Sequence, residues 1–157
     1  LYKEGAEGST PRKKIRLRTY GDFKNYNNIN NLELKITSSE GKYKSSNKIK
    51  NVQSILKFGI LDKQYGVCRP KVIVSYLRSY FKVLQLRITL DTNIKYYKFS
   101  NTFYPSNFVR DYDFIAEIKS NDTSTYENIN KKIPFTRIKF SKYCRSIEHL
   151  FSRNMPY

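Results

Sequence analysis

Four short segments of the chain alternate charged and apolar residues with a strict period of two. Arg12, Lys14, Arg16 and Arg18 surround Ile15 and Leu17, while Glu33 and Lys35 lie between Leu32, Leu34 and Ile36. Further on, Arg87, Thr89 and Asp91 alternate with Leu86, Ile88 and Leu90, and Glu117 and Lys119 flank Ile118. Successive side chains of a β-strand point to opposite faces, so each segment predicts a strand with one apolar and one ionic side. Several such strands in one sheet make a sheet that is charged on one face. Closed into a barrel with that face inward, the sheet would enclose a basic tunnel containing a few carboxylates, which suits a polyanion and a divalent metal.

The charge balance points the same way. Across 157 residues, Lys and Arg number 30 against 13 acidic residues, a formal charge of +17. That favours nucleotides, polyphosphate, nucleic acid or an anionic surface as partners. Part of the excess is compositional, since the chain is rich in Lys, Asn, Ile and Tyr, and the alternation is more informative than the total. Cys68, Cys144 and the single His149 have no metal-ligand spacing, which argues against zinc. The two thiols read as reduced residues of a cytosolic-type domain. No segment approaches the roughly 18 apolar residues of a membrane span, and no signal-peptide pattern opens the chain.

The length suits one domain with a sizeable core. Residues 1–11 read as a turn or loop ending at Pro11, followed by strands at 12–20 and 32–37, a hairpin turn at 38–41, and a strand at 42–45. Apolar Ile49, Val52, Ile55 and Leu56 predict an amphipathic helix over 48–60 that ends near Gly59. A break at 66–70 precedes strands at 72–76, 85–91 and, more weakly, 93–99. Residues 101–111 read as a loop, 114–119 as a strand, 120–133 as a mobile polar stretch, and 134–150 as a closing element that docks on the core. The class is α+β with a mostly antiparallel sheet.

Six blocks of this pattern resemble, in order, those of the VTC domain, a polyphosphate polymerase domain of the CYTH-like or triphosphate tunnel metalloenzyme superfamily. They are Lys14-Ile15-Arg16-Leu17-Arg18-Thr19-Tyr20-Gly21, Leu32-Glu33-Leu34-Lys35, and Pro70-Lys71-Val72-Ile73-Val74-Ser75-Tyr76-Leu77-Arg78. Leu86-Arg87-Ile88-Thr89-Leu90-Asp91, Ala116-Glu117-Ile118-Lys119 and Phe140-Ser141-Lys142-Tyr143 follow. No block is specific by itself; the ordered set spans residues 14–143.

The resemblance implies an antiparallel β tunnel barrel with few outer helices, which takes the phosphates of ATP with Mn2+ or Mg2+ and extends a polyphosphate chain. By motif it implies that Arg16, Arg18, Lys35, Arg78, Arg87, Lys119 and Lys142 act on the phosphates. Lys14, Tyr76 and Lys139 would add phosphate contacts, and Glu117 would hold the metal. The family's first strand and helix have no counterpart here, so residues 1–157 are expected to form one N-terminally truncated domain. A cytoplasmic location is implied, alone or on the cytoplasmic face of a membrane-associated or multidomain assembly.

The chemistry fits those residue types. Phosphoryl transfer asks for positioning and charge neutralisation rather than covalent work. Arg offers a planar fork that matches phosphate, and Lys a mobile point charge. A hard metal needs carboxylate oxygens, which Glu117 with Glu33 or Asp91 would supply. Structural ion pairs compete with that reading: Glu117 with Lys119, and Asp91 with a basic neighbour. Lys42, Lys44, Lys48 and Lys50 read as a solvated rim, and His149 as a surface residue. Three function classes follow: the polymerase, a triphosphate hydrolase in the same tunnel, and a binding module without turnover. A nucleic-acid partner is not expected, because it leaves Glu33 and Glu117 unexplained on a face that should repel carboxylates.

Overall fold

The computed structural model describes residues 2–21, 25–83, 86–101, 105–120 and 136–151. The elements run α1 (Tyr2–Glu7), β1 (Arg12–Arg18), a short 3-10 turn (Tyr26–Asn28), β2 (Asn31–Thr37), β3 (Lys42–Lys48) and α2 (Val52–Phe58). They continue with β4 (Ile60–Asp62), β5 (Gly66–Cys68), β6 (Val72–Val83), β7 (Leu86–Lys98), β8 (Val109–Asp111), β9 (Ile115–Lys119) and α3 (Lys142–Phe151). The mostly antiparallel α+β class is as expected. The described strands fall into three separate sheets, and no ladder among the described residues closes them into a barrel.

The first sheet has the order β1-β2-β3. Its register places Arg16 opposite Glu33, Lys14 opposite Lys35, and Lys35 opposite Lys44. Because paired residues share a face, the alternation written into each strand becomes one ionic face and one face of Ile15, Leu17, Leu32, Leu34 and Ile36. α2 follows with an Asn51 side chain that accepts from the Ser54 N–H and with Gly59 just past its end at φ 88. That positive φ favours glycine, and a Cβ there would lie 2.7 Å from the Cys68 carbonyl oxygen. β4 and β5 then form a small hairpin where the sequence suggested only a break.

The third sheet is built on β7, which pairs with β6, β8 and β9. The sequence suggested two strands over 85–99; the structure has one, because Asn93 at φ 51 absorbs an irregularity without ending it. Asn tolerates the left-handed region better than most residues. The extra residue also switches phase: Arg87, Thr89 and Asp91 share a face with Ile94 and Tyr96. α3 packs on β6 and β7, and Ile94, Tyr96, Cys144 and Ile147 form the centre of the core. The helix thus covers the Tyr96 half of this face and leaves the Arg87–Thr89 half open.

Residues 1–11 depart from the loop expectation, since α1 occupies Tyr2–Glu7. Its stability is tertiary: a six-residue helix is marginal alone, but Gly5 lets it approach α3 so closely that a Cβ would meet Cys144 Sγ at 2.9 Å. Residues 121–135, which include most of the polar stretch, lie outside the described residues. Among the described residues, no helix is long and apolar enough to cross a membrane. Both cysteines are free.

Candidate functional site

The ionic face of the first sheet centres on Glu33, which is buried at 5% exposure. Arg16 bonds its carboxylate, while Arg18 stands at 3.3 Å and Lys44 at 3.5 Å. Burial alone would raise the Glu33 carboxyl, but the Arg16 hydrogen bond and the surrounding cations hold it below its usual range. Around this cluster the face is crowded with cations. Burial, and then the positive charge of Lys119 and Lys42, pushes the Lys35 ammonium below its ordinary value. Lys14, which donates to Ser141 Oγ at 3.2 Å, is lowered chiefly by burial, with Arg12, Lys35 and Arg16 adding to it.

Those interactions also run between sheets. Lys35 of β2 feels both Lys119 and Glu117 of β9, and Arg18 of β1 feels Tyr76 of β6. Charges on the first and third sheets therefore lie close enough to influence one another. On the third sheet, the register sets Arg87 opposite Lys119, Thr89 opposite Glu117 and Tyr80, and Arg78 opposite Asp91. Arg78, Tyr80, Arg87, Thr89, Glu117 and Lys119 line a cavity of about 170 Å³. Glu117 is half exposed and pairs with Lys119 at 3.0 Å. Such an exposed pair contributes little stability and gives way readily to a ligand.

Asp91 closes the inner end. It is 2% exposed and accepts from Arg78 at 2.5 and 2.7 Å and from Lys142 of α3. Burial opposes ionisation of Asp91, but the Arg78 and Lys142 bonds override it and keep the carboxyl low. The Tyr76 ring stands between the same two cations, 5.2 Å from the Arg78 guanidinium and 4.7 Å from the Lys142 ammonium. The phenol thus orients both cations by its π-face.

Arg78, Arg87, Lys119 and Glu117 are brought together in the cavity, and Lys35 of the first sheet lies close enough to feel Lys119 and Glu117. Arg16 and Arg18 gather on Glu33, and Tyr76 and Lys142 on the Asp91 end. Lys139 stands apart, donating to the Ala6 carbonyl at 2.9 Å beside α1. Glu33 and Asp91, the carboxylates offered as companions of Glu117 on a metal, are both buried against their own cations. Among the described residues, no cluster of three His, Cys, Asp or Glu side chains is placed to hold a metal.

Sequence reasoning missed a third buried carboxylate. Asp111 accepts from Tyr96 Oη at 2.6 Å and pairs with Arg145 at 2.9 Å, which fastens α3 to β7 and β8. Burial and that bond raise the Tyr96 phenol. The motif at 109–111 is too short to signal this. Thr89 was visible in the alternation, but its chemistry depends on neighbours that only the sheet supplies.

A family model for the VTC domain matches residues 1–151. No curated protein sequence matches the chain.

Proposed function

The chain belongs to the VTC domain family, and on that premise we propose that it is a metal-dependent polyphosphate polymerase domain. In this reading it moves the γ-phosphoryl group of ATP onto the end of a growing polyphosphate chain. The family is associated with polyphosphate polymerase activity. One observation carries the finer reading: three cations of the third sheet converge on a cavity that also holds one accessible carboxylate. Arg78, Arg87 and Lys119 line it with Glu117, and the Lys35 ammonium, lowered by burial and by Lys119, lies within reach of the same charges. The burial and like charge that lower Lys35 are offset by an incoming polyanion.

The division of labour follows from geometry. Arg87 and Lys119 meet the phosphate oxygens in the open half of the face. Lys35 and Lys14 neutralise charge from the first sheet, and Arg16 and Arg18 extend the grip along β1. Arg78 and Lys142, held by Asp91 and Tyr76, form the inner wall. The γ-phosphorus–oxygen bond to ADP breaks as a bond to the terminal oxygen of the acceptor chain forms. That oxygen is already ionised, so no general base is required. The chain's own contribution is alignment and charge neutralisation.

Glu117 is a half-exposed carboxylate that lines the cavity, and Mg2+ or Mn2+ is commonly held by one or two carboxylates with phosphate and water completing its shell. When bound there, such an ion would supply neutralisation of charge on the phosphate oxygens. Glu117 would hold it.

The test is incubation of the chain with ATP and Mn2+, with products resolved by gel and phosphate assay. Long phosphate chains from the wild type that vanish in Glu117→Gln support the proposal. Free phosphate without chains would instead make this a triphosphate hydrolase. No product, with tripolyphosphate binding retained, would leave a binding module and overturn the polymerase.

A further inference from the structure

We propose that Thr89 is a substrate-binding residue, whose hydroxyl donates a hydrogen bond to a non-bridging phosphate oxygen of the bound triphosphate or polyphosphate. The inference rests on the reading of the cavity as a phosphate site. Among the described residues, Thr89 Oγ1 is buried with no hydrogen-bond partner, and the residue as a whole is 8% exposed. Buried hydroxyls in folded proteins nearly always find a partner, because leaving one unpaired forfeits its hydration without return. A β-branched residue suits the centre of a strand, but Val would supply the same shape without that cost. The hydroxyl therefore needs a reason beyond packing.

Its surroundings supply one. Thr89 sits in the middle strand of the third sheet, between Tyr80 on one side and Glu117 on the other. It lines the same cavity as Arg78, Arg87 and Lys119. The lining carries three cationic groups against the single carboxylate of Glu117, a net positive setting that suits an anion. A phosphate gripped by these groups has several non-bridging oxygens, each able to accept more than one hydrogen bond. A short neutral donor on the central strand would reach an oxygen left over by the longer cationic side chains. Filling the cavity with phosphate would satisfy the hydroxyl and discharge the penalty carried by the free protein.

That arrangement predicts effects of opposite sign on ligand binding and on stability. Inorganic tripolyphosphate is titrated calorimetrically into the wild type, Thr89→Val and Thr89→Ser, once with Mn2+ and once with chelator. Melting temperatures of the free proteins are recorded alongside. The expected result is binding about tenfold weaker in Thr89→Val under both conditions. Thr89→Ser should stay near wild type, and free Thr89→Val should melt no lower than wild type. Unchanged affinity in Thr89→Val would overturn the inference while leaving the phosphate site standing. A loss confined to the Mn2+ titration would also overturn it, making the hydroxyl a metal ligand. A lowered melting temperature would overturn it too, by showing a structural partner. A wild type that fails to bind tripolyphosphate at all would sink both this inference and the reading of the site.

Discussion

Asp91 and Arg78 stand directly opposite each other on β7 and β6 and close a two-bond pair at 2.5 and 2.7 Å. The same carboxylate accepts from Lys142, so one buried anion joins two cations from different elements. The pair therefore belongs to the architecture and to the site at once. Asp91 anchors α3 to the sheet while fixing where Arg78 and Lys142 present their remaining donors.

Asp91→Asn should accordingly destabilise the fold by about 3 kcal/mol, because it leaves Arg78 and Lys142 without their counter-charge. Urea denaturation checks this. A change below about 1 kcal/mol would mean that the carboxylate does not hold α3 in place.

Arg87→Ala and Arg16→Ala should separate binding from stability. Arg87 is exposed on the rim of the cavity, so its removal should weaken tripolyphosphate binding about tenfold. Its cost in stability should stay within about 0.5 kcal/mol. Arg16 partners buried Glu33, and its removal should cost about 2 kcal/mol as well as affinity. Melting curves and calorimetric titrations of the two single variants decide it.

Binding of tripolyphosphate should take up protons at alkaline pH. Burial lowers both Lys14 and Lys35 from their ordinary value of 10.5, and neighbouring cations add to the shift. A bound polyanion favours the protonated form and raises both values again. Between the free and bound values binding therefore consumes protons, and affinity falls as pH rises. Titrations in buffers of different ionisation enthalpy measure the uptake, which Lys35→Ala should reduce.

Stability should fall at both ends of the pH range. Asp91 and Glu33 sit below their ordinary values of 3.8 and 4.5 in the folded chain. Their contribution is full above those values and is lost as pH falls through the depressed ones. Tyr65 behaves in the opposite sense. Burial and its 2.7 Å bond to Glu4 push the phenol from 10.0 to about 12. Its contribution is full below 10.0 and is lost as pH rises toward about 12. Tyr65→Phe should flatten the alkaline limb of a stability–pH curve and leave the acid limb unchanged.

Much of this was legible in the chain. The strands at 12–18, 31–37 and 115–119 follow from period-two alternation. The helix ending at Gly59 follows from apolar spacing and a residue tolerant of positive φ. Cation-rich strand faces were also legible, as was the competing role of Asp91 as an ion-pair partner. α1 was not, since a helix of one and a half turns has no periodicity to read and depends on Gly5 meeting Cys144. The continuity of β7 was hidden by its phase switch at Asn93, which looks in sequence like a strand end. The Tyr96–Asp111–Arg145 network joins residues far apart in the chain and leaves no local signature.

Alternation by itself determined which side of each strand is ionic, because side-chain direction on a strand is a local property of the backbone. It also determined that cations would dominate those faces. Which of them are committed to the protein and which remain for a ligand was decided by tertiary structure alone. Arg16, Arg78 and Lys142 each share their charge with a buried carboxylate, while Arg87 and Lys119 line the cavity without one. The reason is the short reach of hydrogen-bonded pairing: a few ångströms separate a spent cation from an accessible one, and only the packing of β7 against β6, β9 and α3 sets that distance.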